Sequence, residues 1–389
     1  MSLARRLASR MLSAAAWMLP PRLSSWSRAM AHEAIEIADD RSALLFAAGC
    51  LRAAALLAIG ARLEALRARL FPPQLSEWSV PIMNRISARP RLLGLVCGAA
   101  AVGIGLAYMG AAGAPSRFLL VNLAALVLGA TAWLALGRAG SARLAGAGVA
   151  TLALSVPLLL TAFFGVAADG AVRWVSLGPL SLQVSLIVLP VMIILYARRP
   201  DQAGTAGMSA AALALALQPD PAMAGVLAAA LLALLLAAPG RLPVVAAAAS
   251  VLAFGWTLMT PDSLAASDFV DRILYTAFDV HPLAGGAVAA GAAALVLPAV
   301  PGLWRGAGDR PALLAFGACW AAVVAAAALG NYPTPLVGYG GSAVLGYLLS
   351  VALLPSGASE SDARSSSAAG VAGPDPDPSL PELRAAHPA

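Results

Sequence analysis

The chain has 389 residues, of which 60% are hydrophobic and only 11% are charged, and its mean hydropathy is +0.82. An average soluble domain is about 45–50% apolar and about 25% charged. This shortage of charge excludes a cytosolic enzyme, a nucleic-acid-binding protein and a disordered scaffold, and it predicts an all-α polytopic membrane protein. The formal net charge is +6, and all 25 basic residues are arginine. In a membrane protein, clustered arginines are first a signal of topology.

Residues 1–91 carry many arginines, several acids and one long apolar run, residues 42–61. Arg52 lies at the centre of that run, and an arginine at mid-membrane costs about 2.5 kcal/mol or more. We therefore favour a cytoplasmic or interfacial amphipathic region over an additional membrane span. Residues 356–389 are rich in Ser, Ala, Gly, Pro and Asp, and this composition predicts a disordered cytoplasmic tail.

Residues 92–355 form the predicted membrane domain. A spanning helix needs about 20 predominantly apolar residues, and this requirement predicts ten spans. The spans are residues 92–112, 117–137, 143–165, 179–197, 205–217, 222–238, 242–260, 283–301, 311–330 and 336–354. If the chain enters the first span from the cytoplasm, four arginine-bearing loops fall on the cytoplasmic face and the outer loops are acidic. Both termini are then cytoplasmic.

Four segments on the predicted outer face retain polar residues and helix breakers beside the membrane. They are residues 166–185, 218–220, 261–282 and 331–342. The rest of the domain is mostly Ala- and Leu-rich helix, so the function is expected to reside in these segments. Plainer interpretations stay open for single residues. Trp174 could be an anchor at the membrane interface, Asp220 could cap the next helix, and an aspartate in the long loop could simply be solvated.

The segment 331–342 is the least generic stretch of the chain. Pro333 and Pro335 prevent a regular helix there, and Gly340 and Gly341 let backbone approach a partner closely. Non-helical backbone at membrane depth is tolerated only where it is buried in protein or lines a cavity. In the 261–282 loop, one carboxylate could act as a general base that accepts a proton from a sugar hydroxyl as it attacks a phosphate-linked sugar.

The motifs in these segments resemble those of the SEDS family, the polytopic shape, elongation, division and sporulation proteins of the bacterial cell wall. The family shows Gly-Ala-x-Arg-Trp, Leu-Gly and Gln-Pro-Ser-Glu before its fourth span, where this chain has GAVRW, LG and QVSL within 170–186. Residues 218–220 match the family's Gln-Pro-Asp, and residues 333–342 match its Pro-x-Pro-x-x-Ser-Tyr-Gly-Gly-Ser with Gly338 replacing a serine. The resemblance covers about residues 92–355.

This resemblance implies a ten-helix SEDS-like bundle in the bacterial inner membrane. It further implies a peptidoglycan glycosyltransferase that polymerises lipid II, the undecaprenyl-linked disaccharide-pentapeptide, in cell division or cell shape. The partner that it implies is a bitopic class B penicillin-binding transpeptidase. The sequence shows no cluster of metal ligands, although a divalent cation could assist at the substrate's phosphates.

The family's essential aspartate lies in a His-Thr-Asp-Phe-Ile pattern before the eighth span. By residue type, Asp268 matches it best, because residues 267–270 read SDFV. By gapless spacing to the Leu-x-Gly at residues 283–285, Asp271 fits better. We favour Asp271 as the catalytic residue and keep Asp268 as the alternative.

The remaining site residues are predicted to bind substrate. Arg173 or Arg272 suits the pyrophosphate, because the guanidinium fork matches phosphate oxygens. The full predicted set is Arg173, Trp174, Gln183, Ser185, Asp220, Arg272, Pro333, Pro335, Tyr339, Gly340, Gly341 and Ser342.

Two departures from the family pattern support a second hypothesis. Val184 and Leu186 replace the proline and the acid of the family motif, and the lysine that usually follows in the fourth span is absent. Intramembrane ion pairs are usually retained for function, so the resemblance implies a divergent or inactive member. The second hypothesis is a non-catalytic scaffold that binds or translocates lipid-linked precursor. If Asp271 and Asp268 both pointed away from Arg173 and from the Pro-x-Pro turn, the enzyme hypothesis would weaken. A secondary transporter would predict internal repeats, and we find none.

Overall fold

The computed structural model describes residues 2–19, 23–70, 89–137, 146–168, 170–178, 180–260, 264–303 and 310–355. Within them the chain is mostly helical and forms fourteen α-helices and one small β-sheet. The predicted tail, residues 356–389, lies outside the described residues.

Three helices precede the membrane domain. They are α1 (Leu3–Met18), α2 (Ser24–Glu36) and α3 (Asp40–Leu70). Buried alanines, among them Ala8, Ala15 and Ala43, bring α1 and α3 close together. Arg5 of α1 forms an ion pair with Asp40 at 2.7 Å, and this pair ties the starts of the two helices to each other.

Ten apolar helices lie at the positions of the ten predicted spans. They are α4 (Pro90–Ala111), α5 (Ser116–Gly137), α6 (Ala147–Phe164), α7 (Val184–Arg198), α8 (Gln202–Leu217), α9 (Pro221–Ala237), α10 (Arg241–Thr257), α12 (Pro282–Ala294), α13 (Arg310–Leu329) and α14 (Gly341–Ala352). Of the described helices, four are long and apolar enough to cross a membrane, namely α4, α5, α6 and α13. The other six are shorter apolar helices. These features indicate a multi-pass membrane protein.

Three of the shorter helices do not fill their predicted spans, each for a local reason. The predicted fourth span begins at residue 179, but α7 begins only at Val184 because the residues before it form a strand. The eighth ends early because Pro298 and Pro301 favour a 3-10 segment, Leu297–Leu303, over continued α-helix. The tenth begins late because residues 331–340 are irregular.

The helices pack through small residues, as expected where backbones approach closely in a membrane protein. A Cβ on Gly346 of α14 would collide with the carbonyl oxygen of Leu186 in α7, and one on Gly207 of α8 would lie 2.7 Å from the backbone nitrogen of Leu152 in α6. By contrast, α5 exposes large apolar side chains such as Leu120 on its outer face. This arrangement suits a bundle surrounded by lipid.

A three-stranded antiparallel sheet joins α6 to α7, where the sequence analysis predicted no strands. Its strands are β1 (Val166–Ala168), β2 (Ala171–Leu177) and β3 (Leu180–Gln183), in that spatial order. Trp174 pairs with Gln183 across β2 and β3. Gly178 has a φ of +60° in the turn between these strands, a backbone conformation that favours glycine. The helix α11 (Ile273–Val280) lies in the long loop before α12.

Candidate functional site

The predicted outer segments meet at one end of the helix bundle around a cavity of about 250 Å³, which we name the loop cavity. Its walls come from β2, β3, the start of α7, residues 264–271 and residues 331–342. Eight of the predicted site residues line it: Arg173, Trp174, Gln183, Asp271, Pro333, Tyr339, Gly340 and Ser342. The cavity therefore combines motifs that are far apart in the sequence.

The loop that carries Asp271 is hydrogen-bonded to the Pro-x-Pro segment. Asp271 and Pro333 form an isolated antiparallel bridge. The N–H of Thr334 donates to the carbonyl of Val270 at 2.9 Å, and the N–H of Tyr339 donates to the carbonyl of Phe269 at 2.6 Å. These bonds hold the carboxylate at the wall of the loop cavity, which it shares with Arg173.

The two candidate aspartates have different environments. Asp271 is partly buried and lines the cavity, whereas Asp268 is exposed and is not among the described residues that line it. The Asp271 carboxylate accepts a hydrogen bond from the backbone N–H of Ser267 at 2.8 Å. Burial raises the pKa of Asp271 above its ordinary value, although the hydrogen bond from Ser267 opposes that shift. A carboxylate with a raised pKa is a better proton acceptor, so Asp271 is chemically suited to act as a general base.

Backbone strain is concentrated on either side of Asp271 and in the segment that it contacts. Phe269 and Arg272 have φ values of 61° and 60°, and Leu336 in the Pro-x-Pro segment has a φ of 61°. Left-handed conformations are unfavourable for residues other than glycine, and they persist where the surrounding structure enforces them, often at functional sites. These three residues therefore indicate that the surrounding structure fixes the conformation of both loops.

Arg173 is only 2% exposed and is held from two sides. Its Nε donates to the carbonyl of Pro219 at 3.1 Å, and its terminal Nη2 donates to the same oxygen. Its guanidinium also lies 5.9 Å from the ring centroid of Tyr332. These contacts place the guanidinium of Arg173 at the cavity wall.

Behind the cavity wall, three predicted residues form a buried polar cluster. The side-chain amide of Gln183 donates to Asp220 at 3.3 Å and lies 3.3 Å from the hydroxyl of Ser185, and that hydroxyl is 3.4 Å from Asp220. Asp220 also caps α9 by accepting from the N–H of Met223 at 3.1 Å. The cap that the sequence left as an alternative role for Asp220 is therefore present together with the contact to Gln183.

Two helices begin at the loop cavity. Gln183 precedes α7, and its N–H donates to the hydroxyl of Ser342 at 3.1 Å near the start of α14. The amino end of a helix carries a partial positive charge and unpaired N–H groups that favour anions. Together with Arg173, these helix ends make the cavity suited to a negatively charged group. The side-chain oxygen of Gln183 is buried without a hydrogen-bond partner.

Six predicted site residues lie outside the lining. Besides Asp268 and the buried pair Ser185 and Asp220, they are Pro335, Gly341 and Arg272. Arg272 instead lines a neighbouring cavity of about 290 Å³ together with Tyr275 and Asn331. Asn331 lines both cavities, so the two adjoin at this residue.

Asn122 and Phe118 of α5 support the site and were missed by the sequence analysis. Asn122 is fully buried. Its side-chain nitrogen donates to the backbone of residue 338, and its side-chain oxygen accepts from the backbone of residue 340. Phe118 stacks on Tyr339 with 3.9 Å between ring centroids. A lone asparagine within an apolar span was the available signal, because polar groups are seldom kept inside a membrane without a partner.

The described residues contain no group of three or more His, Cys, Asp or Glu side chains that could hold a metal ion. Among the described lining residues, Asp271 is the only carboxylate. A divalent cation in the loop cavity would therefore depend on substrate oxygens and water for most of its ligands.

No model of a protein family and no curated protein sequence matches the chain. Among solved structures, the fold is similar to the crystal structure of the rod shape determining protein RodA of Thermus thermophilus. The TM-score is 0.50 at 23% sequence identity, and the match covers 67% of this chain and 94% of that chain. The chain has a RodA-like fold. The structure of a point mutant of RodA gives a TM-score of 0.49 at 20% identity, covering 67% of this chain and 95% of that one.

The RodA-like fold agrees with the fold that the sequence motifs imply. At this identity the similarity concerns the path of the backbone, so the chemistry must be argued from the residues of this chain. Those residues place one carboxylate with a raised pKa, one buried guanidinium and two helix amino ends around a single cavity.

Proposed function

We propose that this protein is a SEDS-type peptidoglycan glycosyltransferase that polymerises lipid II. Ten helices would span the bacterial inner membrane, with both termini in the cytoplasm and the loop cavity on the outer face. The observation that carries the proposal is the presence of Asp271 and Arg173 in the wall of one cavity at the end of a RodA-like bundle.

The proposed reaction joins two lipid-linked sugars. The hydroxyl of the acceptor sugar attacks the anomeric carbon of the donor, and its proton passes to the Asp271 carboxylate. The new glycosidic bond forms as the bond from the anomeric carbon to the phosphate oxygen breaks, and the pyrophosphate leaves with the electron pair. Arg173 and the amino ends of α7 and α14 would stabilise the negative charge that develops on the leaving group.

The distribution of arginines supports the proposed orientation. At the end of the bundle away from the loop cavity, Arg91 and Arg198 donate to the carbonyls of Leu354 and Leu353 at the carboxyl end of α14. These arginines, opposite the end of the bundle that carries Asp271 and Arg173, fit a cytoplasmic location by the positive-inside rule. A bitopic class B penicillin-binding transpeptidase is the proposed partner, because it would cross-link the new glycan.

A non-catalytic, lipid-linked precursor-binding or translocating protein is the second candidate, and one observation favours it. Leu186 stands where the family motif has its acid, and this leucine is 4% exposed in the cavity wall. A site with one carboxylate fewer could still hold the pyrophosphate through Arg173 without promoting transfer.

The deciding experiment is lipid II polymerisation by the purified protein with its transpeptidase partner, comparing wild type with Asp271→Asn and Asp268→Asn. Loss of a general base lowers rates by about 10²–10⁴-fold, so Asp271→Asn should yield no detectable glycan while Asp268→Asn retains activity. Binding of lipid II is measured in the same preparations. Wild type that binds lipid II and makes no glycan would favour the non-catalytic candidate.

A further inference from the structure

The amino-terminal helix α1 has an exposed face that its neighbours leave uncovered. Leu7, Trp17 and Met18 are 42%, 80% and 37% exposed, and Arg6 and Arg10 beside them are also exposed. These positions are separated by three, four and seven residues along the helix, so they share one side of it. We call this side the α1 face.

The α1 face points away from the rest of the amino-terminal helices. The opposite sides of α1 are occupied, since Ala8 and Ala15 are buried in the contact with α3, and Ser9 and Leu12 line a groove of about 430 Å³ shared with α2. Burial of α1 within this three-helix unit therefore does not account for an exposed tryptophan on the α1 face.

The charges on α1 are all of one sign. The helix contains Arg5, Arg6 and Arg10 and no acidic residue. Arg5 is turned toward Asp40, whereas Arg6 and Arg10 flank the apolar side chains of the α1 face. A tryptophan and aliphatic side chains bordered by arginines are the pattern of a helix that lies in a membrane interface, with the rings among the headgroups and the cations on anionic lipids.

A membrane surface is within reach of this helix. The helix α3, on which α1 packs, contacts α9 of the apolar bundle. We propose that the α1 face binds an anionic lipid surface, with Trp17, Leu7 and Met18 entering the interface and Arg6 and Arg10 contacting lipid phosphates. Basic residues near a membrane surface contribute only where the lipids are anionic. This inference is independent of the proposed glycosyltransferase activity.

The test uses the full chain, with Cys50, Cys97 and Cys319 replaced by alanine, in vesicles of phosphatidylcholine with or without phosphatidylglycerol. A spin label is placed at Ala14→Cys, in the middle of the α1 face, or at Glu33→Cys on α2 as the control. The label at position 14 should be more accessible to oxygen than to a water-soluble nickel chelate when phosphatidylglycerol is present. The label at position 33 should show the reverse.

A double substitution tests the role of charge. Arg6→Gln with Arg10→Gln, added to the label at position 14, should restore access of the nickel chelate to the level seen at position 33. The proposal is overturned if the label at position 14 is open to the chelate in anionic vesicles, or if oxygen access is the same without phosphatidylglycerol. It is also overturned if the label is closed to both reagents, because a protein partner or a second copy then covers the α1 face.

Discussion

Asn122, in the second turn of α5, donates from its side-chain amide to the carbonyl of Gly338 at 2.8 Å. The oxygen of the same amide accepts from the N–H of Gly340 at 3.0 Å. One side chain thus satisfies two backbone groups of the irregular segment that forms a wall of the loop cavity. Irregular backbone that is buried in protein cannot bond freely to water, so its polar groups need partners of this kind.

Replacing Asn122 by leucine should destabilise the protein clearly. Leucine keeps the branching and the heavy-atom count of the asparagine side chain but leaves the carbonyl of Gly338 and the N–H of Gly340 without this partner, and each unsatisfied buried group costs about 1–3 kcal/mol. Thermal unfolding in detergent measures the effect. Thr131→Ala is the matched control in the same helix, because the exposed Thr131 bonds only to the carbonyl of Leu128 within α5. Equal stability of the two variants would contradict the role given to Asn122.

The sequence predicted the helices better than their ends. Long apolar runs identify helices wherever length and composition agree, and the structure has a helix at each of the ten predicted positions. The sheet was missed because Arg173 is buried at an inward position of β2, where an alternating strand pattern would show an apolar residue. The apolar residues Leu180 and Leu182 were assigned to the fourth span, although they belong to β3.

The motifs predicted which segments form the site but not what supports them. Arg173, Gln183, Asp271 and Tyr339 lie in motifs, and all four line one cavity. Asn122 lies 216 residues before Gly338 in the sequence. At this separation, no helix or strand periodicity links the asparagine to the motif. Such contacts are fixed by tertiary packing, which a single sequence does not encode in a local pattern.

The partly buried charge of Asp271 predicts a stability that depends on pH. Its pKa is raised in the folded protein, so the folded state binds the proton more readily than the unfolded state. The ionised carboxylate therefore lowers stability at neutral pH, and that loss is recovered as pH falls through the raised pKa. Asp271→Asn should be more stable than wild type at neutral pH, and the difference should shrink on acidification.

Unfolding of wild type and Asp271→Asn, followed between neutral and acidic pH, measures this difference. Asp268→Asn serves as the control, since Asp268 is exposed and its substitution should leave the profile unchanged. A stability difference between wild type and Asp271→Asn that is constant across this range would show that burial of the charge is not its cause. In activity assays, the rate should fall as pH falls through the raised pKa, because the base must be ionised to accept a proton.

Asp220 and Asp201 allow the capping role to be separated from the role at the site. Asp201 accepts from the N–H of Gly204 at 2.7 Å and caps α8 away from the loop cavity, whereas Asp220 caps α9 and also holds Gln183. Loss of a cap costs about 1 kcal/mol, so Asp220→Ala and Asp201→Ala should both lower the unfolding temperature. Only Asp220→Ala should also weaken lipid II binding, because it releases Gln183. Weakened binding in both variants would indicate a general loss of structure.

Gly346 connects the packing of the bundle to the geometry of the site. Because a Cβ at this position would collide with the backbone carbonyl of Leu186, α14 and α7 would have to separate to admit alanine. Overpacking of this kind costs about 1–3 kcal/mol, and more where backbone must move. Gly286 of α12 is the matched control, since a Cβ there meets nothing within 4 Å. Alanine exceeds glycine in helix propensity by about 1 kcal/mol, so Gly286→Ala should leave stability unchanged or raise it.

Gly346→Ala should also displace the start of α7, which carries Gln183 into the cavity wall, and so lower lipid II binding along with the unfolding temperature. Both quantities are measured on the same detergent preparation for the two variants and wild type. An alanine at position 346 that is tolerated as well as one at position 286 would show that α14 and α7 are further apart than the structure has them. If binding survives while stability falls, the cavity wall does not depend on this helix contact.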